Sequence, residues 1–309
     1  MNPGRGQEIS ETSKKKKKKT KMRSKKRKNS FRTETVQKLF ETCKQVFADA
    51  KAGDVPPPAD IQRLKSILDD LKAEDVNLQP NMKIFETSET HGQHPPIAYI
   101  HIYESNKFSI GIFCLPPSGI IPLHNHPGMT VFSKLLFGSM QAKSYDWVER
   151  VATCNKDNGK NLQQGLFPQL ARVHVEKELT APCEASVLFP AAGGNLHCFK
   201  AITACAILDV LGPPYSESEG RRCTYYQDSP FPRFSDIVEL EADEDVKSYV
   251  WLEEREKPEE FVVYGAHYTG PTIGHSWRNV ANGARAKLCL ISFIPQDTDI
   301  SAVCMQKKK

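Results

Sequence analysis

Two patterns of apolar spacing divide the chain. Val36, Leu39, Phe40, Cys43, Val46 and Phe47 recur at helical spacing. That stripe predicts an amphipathic helix from Thr33 or Thr35, either of which suits an N-cap, to about Ala52. Gly53 ends it, and Pro56, Pro57 and Pro58 separate it from a second helix over about Ala59 to Lys72, with Ile61, Leu64, Ile67, Leu68 and Leu71 inward. From Ile97 the period changes to two. Tyr99 and His101 alternate with Ile100 and Ile102, and Phe108, Ile110, Ile112 and Cys114 alternate with Ser109, Gly111 and Phe113. Further strands are predicted over 131–148, 174–180, 186–189, 197–211, 223–227, 248–253 and 261–268. Polar residues 155–164 predict a loop. So does Gly212-Pro213-Pro214 followed by Ser216 to Gly220, a candidate lid over a barrel mouth. Many short strands broken by turns, without an internal repeat, predict an all-β core built as a barrel or sandwich, with the two helices packed outside it.

Charge changes this picture at one end. The net charge is +5, but 12 of the 42 Lys and Arg residues lie in KKKKKKTKMRSKKRK at 14–28. The rest of the chain sets 30 basic residues against 37 acidic ones, a balance of −7, which argues against direct nucleic-acid binding by the folded part. The tract lacks apolar periodicity and is expected to be disordered and extended by self-repulsion. Residues 1–32 therefore read as a disordered basic tail. Its three readings are a nuclear localisation signal at Lys14 to Lys28 read by the import machinery, a polyanion tether, and an inert solvated tail; import is favoured, with nucleus and cytoplasm as the expected location. The nine cysteines follow no secreted pattern, and no CxxC pair suggests structural zinc. Reduced thiols in a nucleocytoplasmic protein are the simplest account. No apolar stretch approaches the roughly 20 residues that span a bilayer, so no membrane partner is expected.

Candidate chemistry sits in GIIPLHNHPGMTVFSKLLFG, residues 119–138, which holds His124 and His126 between two glycines. On a β-strand a two-residue spacing points both imidazoles to one side, and two neutral nitrogen ligands in an apolar barrel suit a transition metal. A bare pair of this kind reads equally well as two surface histidines at a strand end. A third histidine tips the balance. In LFPAAGGNLHCFKAI, Gly193 and Gly194 supply a tight turn after Pro190, and His197 opens the next apolar run.

Glycine, His-x-His, glycine, then a Pro-x-x-Gly-Gly turn leading to a histidine, resembles the two-part signature of the cupin barrels. The first part of that signature usually carries a glutamate four or five residues after its second histidine; Thr130 and Val131 stand there in this chain. The carboxylate is missing. Three neutral imidazoles leave about three octahedral positions open and keep the metal's positive charge, which suits iron(II) taking an anionic substrate and dioxygen together.

Longer motifs extend the resemblance. PLHNHPGMTVFSKLLFGSMQAKSYDWV, NLHCFKAITACAILDVLGPPYSESEGRRCTYY and WLEE at 251–254 closely resemble the plant cysteine oxidases, thiol dioxygenases related to animal cysteamine (2-aminoethanethiol) dioxygenase. The resemblance runs from about Val36 to about Ile273. It implies a cupin-type double-stranded β-barrel over residues 33–275, with Fe(2+) held by His124, His126 and His197. The implied reaction is oxidation of a free N-terminal cysteine to its sulfinic acid by dioxygen. In that family the substrates are group VII ethylene response transcription factors, whose oxidation marks them for degradation through the N-degron pathway, so the enzyme senses oxygen and hypoxia. Asp209, Tyr215 and Cys223 match positions important to that activity, and Cys223 with Tyr225 matches the spacing of a thioether crosslink in the related animal enzyme. A monomer is expected. Residues 276–309 fall outside the resemblance and carry no assignment.

These residue types suit that chemistry. A thiol coordinates as thiolate, so binding releases a proton, and the α-amine completes a chelate that only an N-terminal cysteine offers. Asp209 can take that proton, or orient Tyr215 and a ligand histidine; the bland readings are a strand-end carboxylate for Asp209 and a rim aromatic for Tyr215. His91, His94, His101, His174, His267 and His275 form no rival site, and Cys198 is expected to point away from His197 across its strand. The alternative functions are a non-catalytic cupin binding a small molecule and a cupin with other metal chemistry, which would normally keep the glutamate.

Overall fold

The structure is a computed structural model and describes residues 33–86, 94–148, 168–231 and 248–273. The basic tract Lys14 to Lys28, the loop predicted over 155–164, His91, His275 and the tail from Arg278 lie outside the described residues.

Helix α1 spans 33–46 and α2 Pro58–Asp70. Helix α1 stops six residues before the expected end, and residues 47–57 make an irregular connection. Its apolar stripe is buried as predicted: Val36, Leu39, Phe40, Cys43 and Phe47 join Leu64, Ile67 and Leu68 of α2 in one core. Pro58 opens α2 at a position where its missing N–H costs nothing.

Twelve strands follow among the described residues: β1 Ile97–Glu104, β2 Ser109–Leu115, β3 Ile120–His124, β4 Thr130–Phe137, β5 Ser139–Trp147, β6 Gln169–Thr180, β7 Ser186–Leu188, β8 Leu196–Ala201, β9 Cys205–Gly212, β10 Tyr225–Pro230, β11 Tyr249–Arg255 and β12 Val263–Ala266. Two predicted strands are each two in fact. The run 131–148 breaks at Gly138, whose φ of +87° no residue with a side chain adopts easily. The run 197–211 breaks at residues 202–204, between β8 and β9.

One sheet has the order β12-β1-β2-β9-β4-β7, and the other is a closed antiparallel barrel of β10-β11-β6-β5-β8-β3. This is the cupin-type all-β core that the resemblance implied. Every residue of β2 and β9 is buried, because helices α1 and α2 cover one face while the barrel interior takes the other. Ile110, Ile112 and Cys114 thus pack under the helices, and Phe113 and Leu115 face inward. Alternation is preserved but both its phases are apolar, as expected of a strand covered on both sides. Fully burying a side chain such as Phe47 or Leu64 stabilises the fold by about 1.5–3 kcal/mol relative to leaving it exposed. A polar tie adds to this seam: buried Lys134 of β4 donates to the Cys183 carbonyl at 2.5 Å and reaches Asp69 of α2 at 3.4 Å, and Asp69 also accepts the Ala185 N–H at 2.6 Å.

Candidate metal centre

The register of the barrel brings the site together. His124, the last residue of β3, lies directly opposite His197 of β8, and on its other side opposite Tyr225 of β10. His197 in turn lies opposite Ser144 of β5. Two of the three histidines are therefore cross-strand neighbours although 73 positions separate them in the chain.

His126 arrives differently from the expectation. Strand β3 ends at His124, so the two-residue alternation of a strand does not aim the His126 ring. The loop 125–129 does so. The Asn125 N–H donates to the Thr224 carbonyl at 3.2 Å, its side-chain oxygen accepts the Thr224 N–H at 2.9 Å, and its amide donates to the Tyr226 hydroxyl at 3.2 Å. Gly128, at φ +66°, brings its carbonyl to the Gly53 N–H at 2.9 Å, tying the loop to the connection between the helices.

The ligand-capable nitrogens of His124, His126 and His197 lie within 4.8 Å of one another, and all three residues are buried. Among the described residues no other group of three or more His, Cys, Asp or Glu brings its donor atoms together. Burial holds the His124 imidazolium unfavourable, down to about pKa 4, and puts His126 and His197 well below their usual range, with mutual repulsion among the rings adding to it. At neutral pH the rings are uncharged and offer lone pairs. The tautomers of His124 and His126 follow from their partners. His124 Nδ1 lies 2.8 Å from the Pro122 carbonyl oxygen, which can only accept, so the lone pair of His124 is on Nε2. The Tyr215 hydroxyl donates to the Asn125 carbonyl at 2.8 Å and lies 2.9 Å from His126 Nδ1. With its hydrogen committed, the phenol oxygen accepts from His126 Nδ1–H and leaves Nε2 bare. That Nε2 faces His197 Nε2 at 3.2 Å. Two ligand nitrogens at about 2.1 Å from a metal and at right angles stand about 3 Å apart, so the residues fit a divalent transition ion.

The cavity beside the rings has a free volume of about 10 Å³, room for roughly one water, and is lined by Tyr99, Phe113, Phe199, Asp209 and Leu211 in addition to the histidines. Asp209 is a mid-strand residue of β9, not a strand end. It sits between Gly111 of β2 and Ser133 of β4 in the sheet register. Its Oδ1 is buried with no hydrogen-bond partner, and burial pushes its pKa up to about 7 despite a bond to the Ser133 side chain. Tyr215 is buried in the inner core and is no rim aromatic. Tyr215, not Asp209, hydrogen-bonds a ring of the histidine cluster. The Cys223 thiol hydrogen-bonds the Tyr215 hydroxyl, and Tyr225 is buried in the same core, its ring centroid 6.4 Å from that of His124.

The remaining sequence readings sort cleanly. Cys198 packs with Tyr145 and Leu196, away from the cavity that His197 and Phe199 line. His174 pairs with Asp146 at 3.2 Å and His101 approaches Glu104 at 4.0 Å, both away from the cluster. Three residues around the site were not singled out from the sequence: Tyr99, whose ring covers Gly111; Asn125, which bonds Thr224 and Tyr226; and Asn195, which bonds the main chain of His126. For Asn195 a signal existed, its place between a Gly-Gly turn and the third histidine. For Tyr99 none did, because an aromatic in an apolar strand reads as ordinary core.

Sequence comparison agrees with this geometry. The chain is 54% identical to plant cysteine oxidase 2 of Arabidopsis thaliana over 239 residues, covering 77% of this chain and 83% of that protein. It is 50% identical to plant cysteine oxidase 1 of the same organism, over 77% of this chain and 80% of that one. Human 2-aminoethanethiol dioxygenase is 32% identical over 73% of this chain and 87% of its own length. The PCO_ADO family profile matches residues 67–273, from the last turn of α2 to the last described residue, and the chain belongs to that family.

Proposed function

We propose that the protein is an iron(II)-dependent thiol dioxygenase that converts the free N-terminal cysteine of a protein or peptide to its sulfinic acid. The observation that carries this reading is the donor set: three buried neutral imidazoles and no carboxylate among them, with Thr130 and Val131 at the sequence positions where the cupin signature usually has its glutamate. His124, His126 and His197 would hold the ion, which when bound supplies dioxygen activation and a place for the thiolate and α-amine of the substrate. Both oxygen atoms of dioxygen end on the sulfur, and the sulfur supplies every electron that reduces them, so no other reductant is required.

The chain's own residues have separate tasks. The Asp209 carboxyl, its Oδ1 without a hydrogen-bond partner and its pKa raised to about 7, can take up the thiol or ammonium proton at Oδ1 and give it up again close to physiological pH. Tyr215 and the Pro122 carbonyl hold His126 and His124 in the tautomers that leave Nε2 bare. Cys223 backs the Tyr215 hydroxyl. On this reading the physiological targets are Cys-initiated transcription factors of the group VII ethylene response class, turnover follows oxygen supply, and Lys14 to Lys28 takes the enzyme into the nucleus.

The test is metal content in anaerobically purified protein, followed by oxygen uptake and peptide mass. A Cys-initiated peptide is expected to gain two oxygen atoms, its N-acetylated form none, and His124→Ala, His126→Ala and His197→Ala to lose both metal and turnover. Equal oxidation of the two peptides would show that the α-amine plays no part, and a protein that holds iron but consumes no oxygen with thiols would overturn the function.

A further inference from the structure

Asp146 is the last-but-one residue of β5, one step beyond Tyr145, which pairs with Leu196 of β8. Its carboxylate therefore lies across from the turn that enters β8. Three consecutive main-chain N–H groups converge on it: Gly193 donates to Oδ2 at 3.2 Å, and Gly194 and Asn195 donate to Oδ1 at 2.8 and 3.2 Å. Such a nest needs left-handed backbone, which Gly193 and Gly194 supply at φ +80° and +81°. A Cβ on Gly194 would also meet Ser144 Oγ at 2.5 Å.

The turn presents one side chain to the metal centre. Asn195 is buried, and its amide holds His126 from both sides of the peptide chain. Asn195 Oδ1 accepts the His126 N–H at 3.1 Å, while Nδ2 donates to the His126 carbonyl and the Phe189 carbonyl, each at 2.8 Å. His126 lies past the end of β3 and has no ladder partner, so this amide does for it what cross-strand pairing does for His124 and His197.

We propose that Asp146 is a positioning residue for the metal centre, acting through the 193–195 turn and the Asn195 amide to fix the backbone of His126. This rests on the reading above only in taking the three histidines as metal ligands; it needs no particular reaction.

Co(II) titrated into the metal-free full-length chain, followed by its visible d–d spectrum, tests it without any turnover. Asp146→Ala and Asn195→Ala are each expected to weaken Co(II) affinity by about 10–100-fold and to change the spectrum. The double variant is expected to be no weaker than Asn195→Ala alone, because both changes cut one chain of contacts. Asp146→Asn keeps an acceptor oxygen for the turn and is expected to restore most of the affinity. Wild-type affinity and spectrum in Asn195→Ala, additive losses in the double variant, or an Asp146→Asn as weak as Asp146→Ala would each overturn the proposal. If Asp146→Ala does not fold, Asn195→Ala decides, since it leaves the carboxylate and its three N–H donors intact. A wild-type chain that binds Co(II) but oxidises no thiol would sink the proposed function and leave this inference standing; one that binds no Co(II) would sink both.

Discussion

The Tyr215 hydroxyl stands 2.9 Å from His126 Nδ1 while its hydrogen goes to the Asn125 carbonyl at 2.8 Å. One phenol thus ties the loop after β9 to the loop after β3 and decides which nitrogen of His126 is free.

Tyr215→Phe removes that acceptor and leaves a buried imidazole N–H and a part-buried carbonyl without this partner. A loss of about 1–3 kcal/mol in unfolding free energy is expected, together with at least a tenfold weaker hold on divalent metal. Chemical denaturation and competition with a chelator measure the two. Unchanged metal affinity would show that the His126 tautomer does not depend on Tyr215.

Asp209 gives a pH dependence of known sign. Burial raises its carboxyl from 3.8 to about 7, so the metal-free folded state holds this proton more tightly than the unfolded chain. The stability contributed by the protonated form is complete below about pH 4 and is lost as the pH climbs to about 7. The three clustered histidines, lowered by burial, work in the opposite direction up to their ordinary value of 6.5. Comparison with Asp209→Asn isolates the carboxyl. The melting temperature of metal-free Asp209→Asn minus that of the wild type is expected to rise between about pH 4 and pH 7 and then level off. A difference independent of pH would mean that Asp209 titrates as an ordinary carboxylate. In the metal-loaded enzyme the same variant is expected to keep metal and lose most turnover.

Gly111→Ala is expected to harm the site from behind. A Cβ at Gly111 would lie 2.1 Å from the Tyr99 hydroxyl oxygen and 2.5 Å from its Cζ, so the ring must move. Overpacking of this kind costs about 1–3 kcal/mol. Because Gly111 is opposite Asp209 and Tyr99 lines the cavity, turnover is expected to fall as well. A variant with wild-type melting temperature and rate would show that the ring has room to swing aside.

Deletion of residues 1–30 is expected to leave peptide oxidation unchanged and to abolish nuclear enrichment of a fluorescent fusion. The comparison is of enrichment, since a chain of 34.7 kDa also diffuses through nuclear pores slowly. A deletion that stays nuclear would refute import by the tract. Loss of turnover confined to low salt would instead make it an electrostatic tether for substrate.

Much of this was legible along the chain because it depends on local order. The helical stripe of α1 and α2, the alternation in β1 and β2, and the glycine-framed histidines are properties of short segments, and short-range periodicity records them directly. The identity of the three histidines as a set was legible too, from motif spacing. The manner of their assembly was not. That β3 ends at His124, and that His126 is held by an asparagine 69 positions away, depends on where β5 and β8 place Asp146 and the 193–195 turn. The same holds for Asp209. Its position in the sequence is that of a polar residue in an apolar strand; only the packing of β2 and β4 on either side strips it of water and raises its pKa. Desolvation, tautomer choice and ring orientation arise from groups far apart in the chain that folding makes neighbours, and no single segment of this sequence contains them.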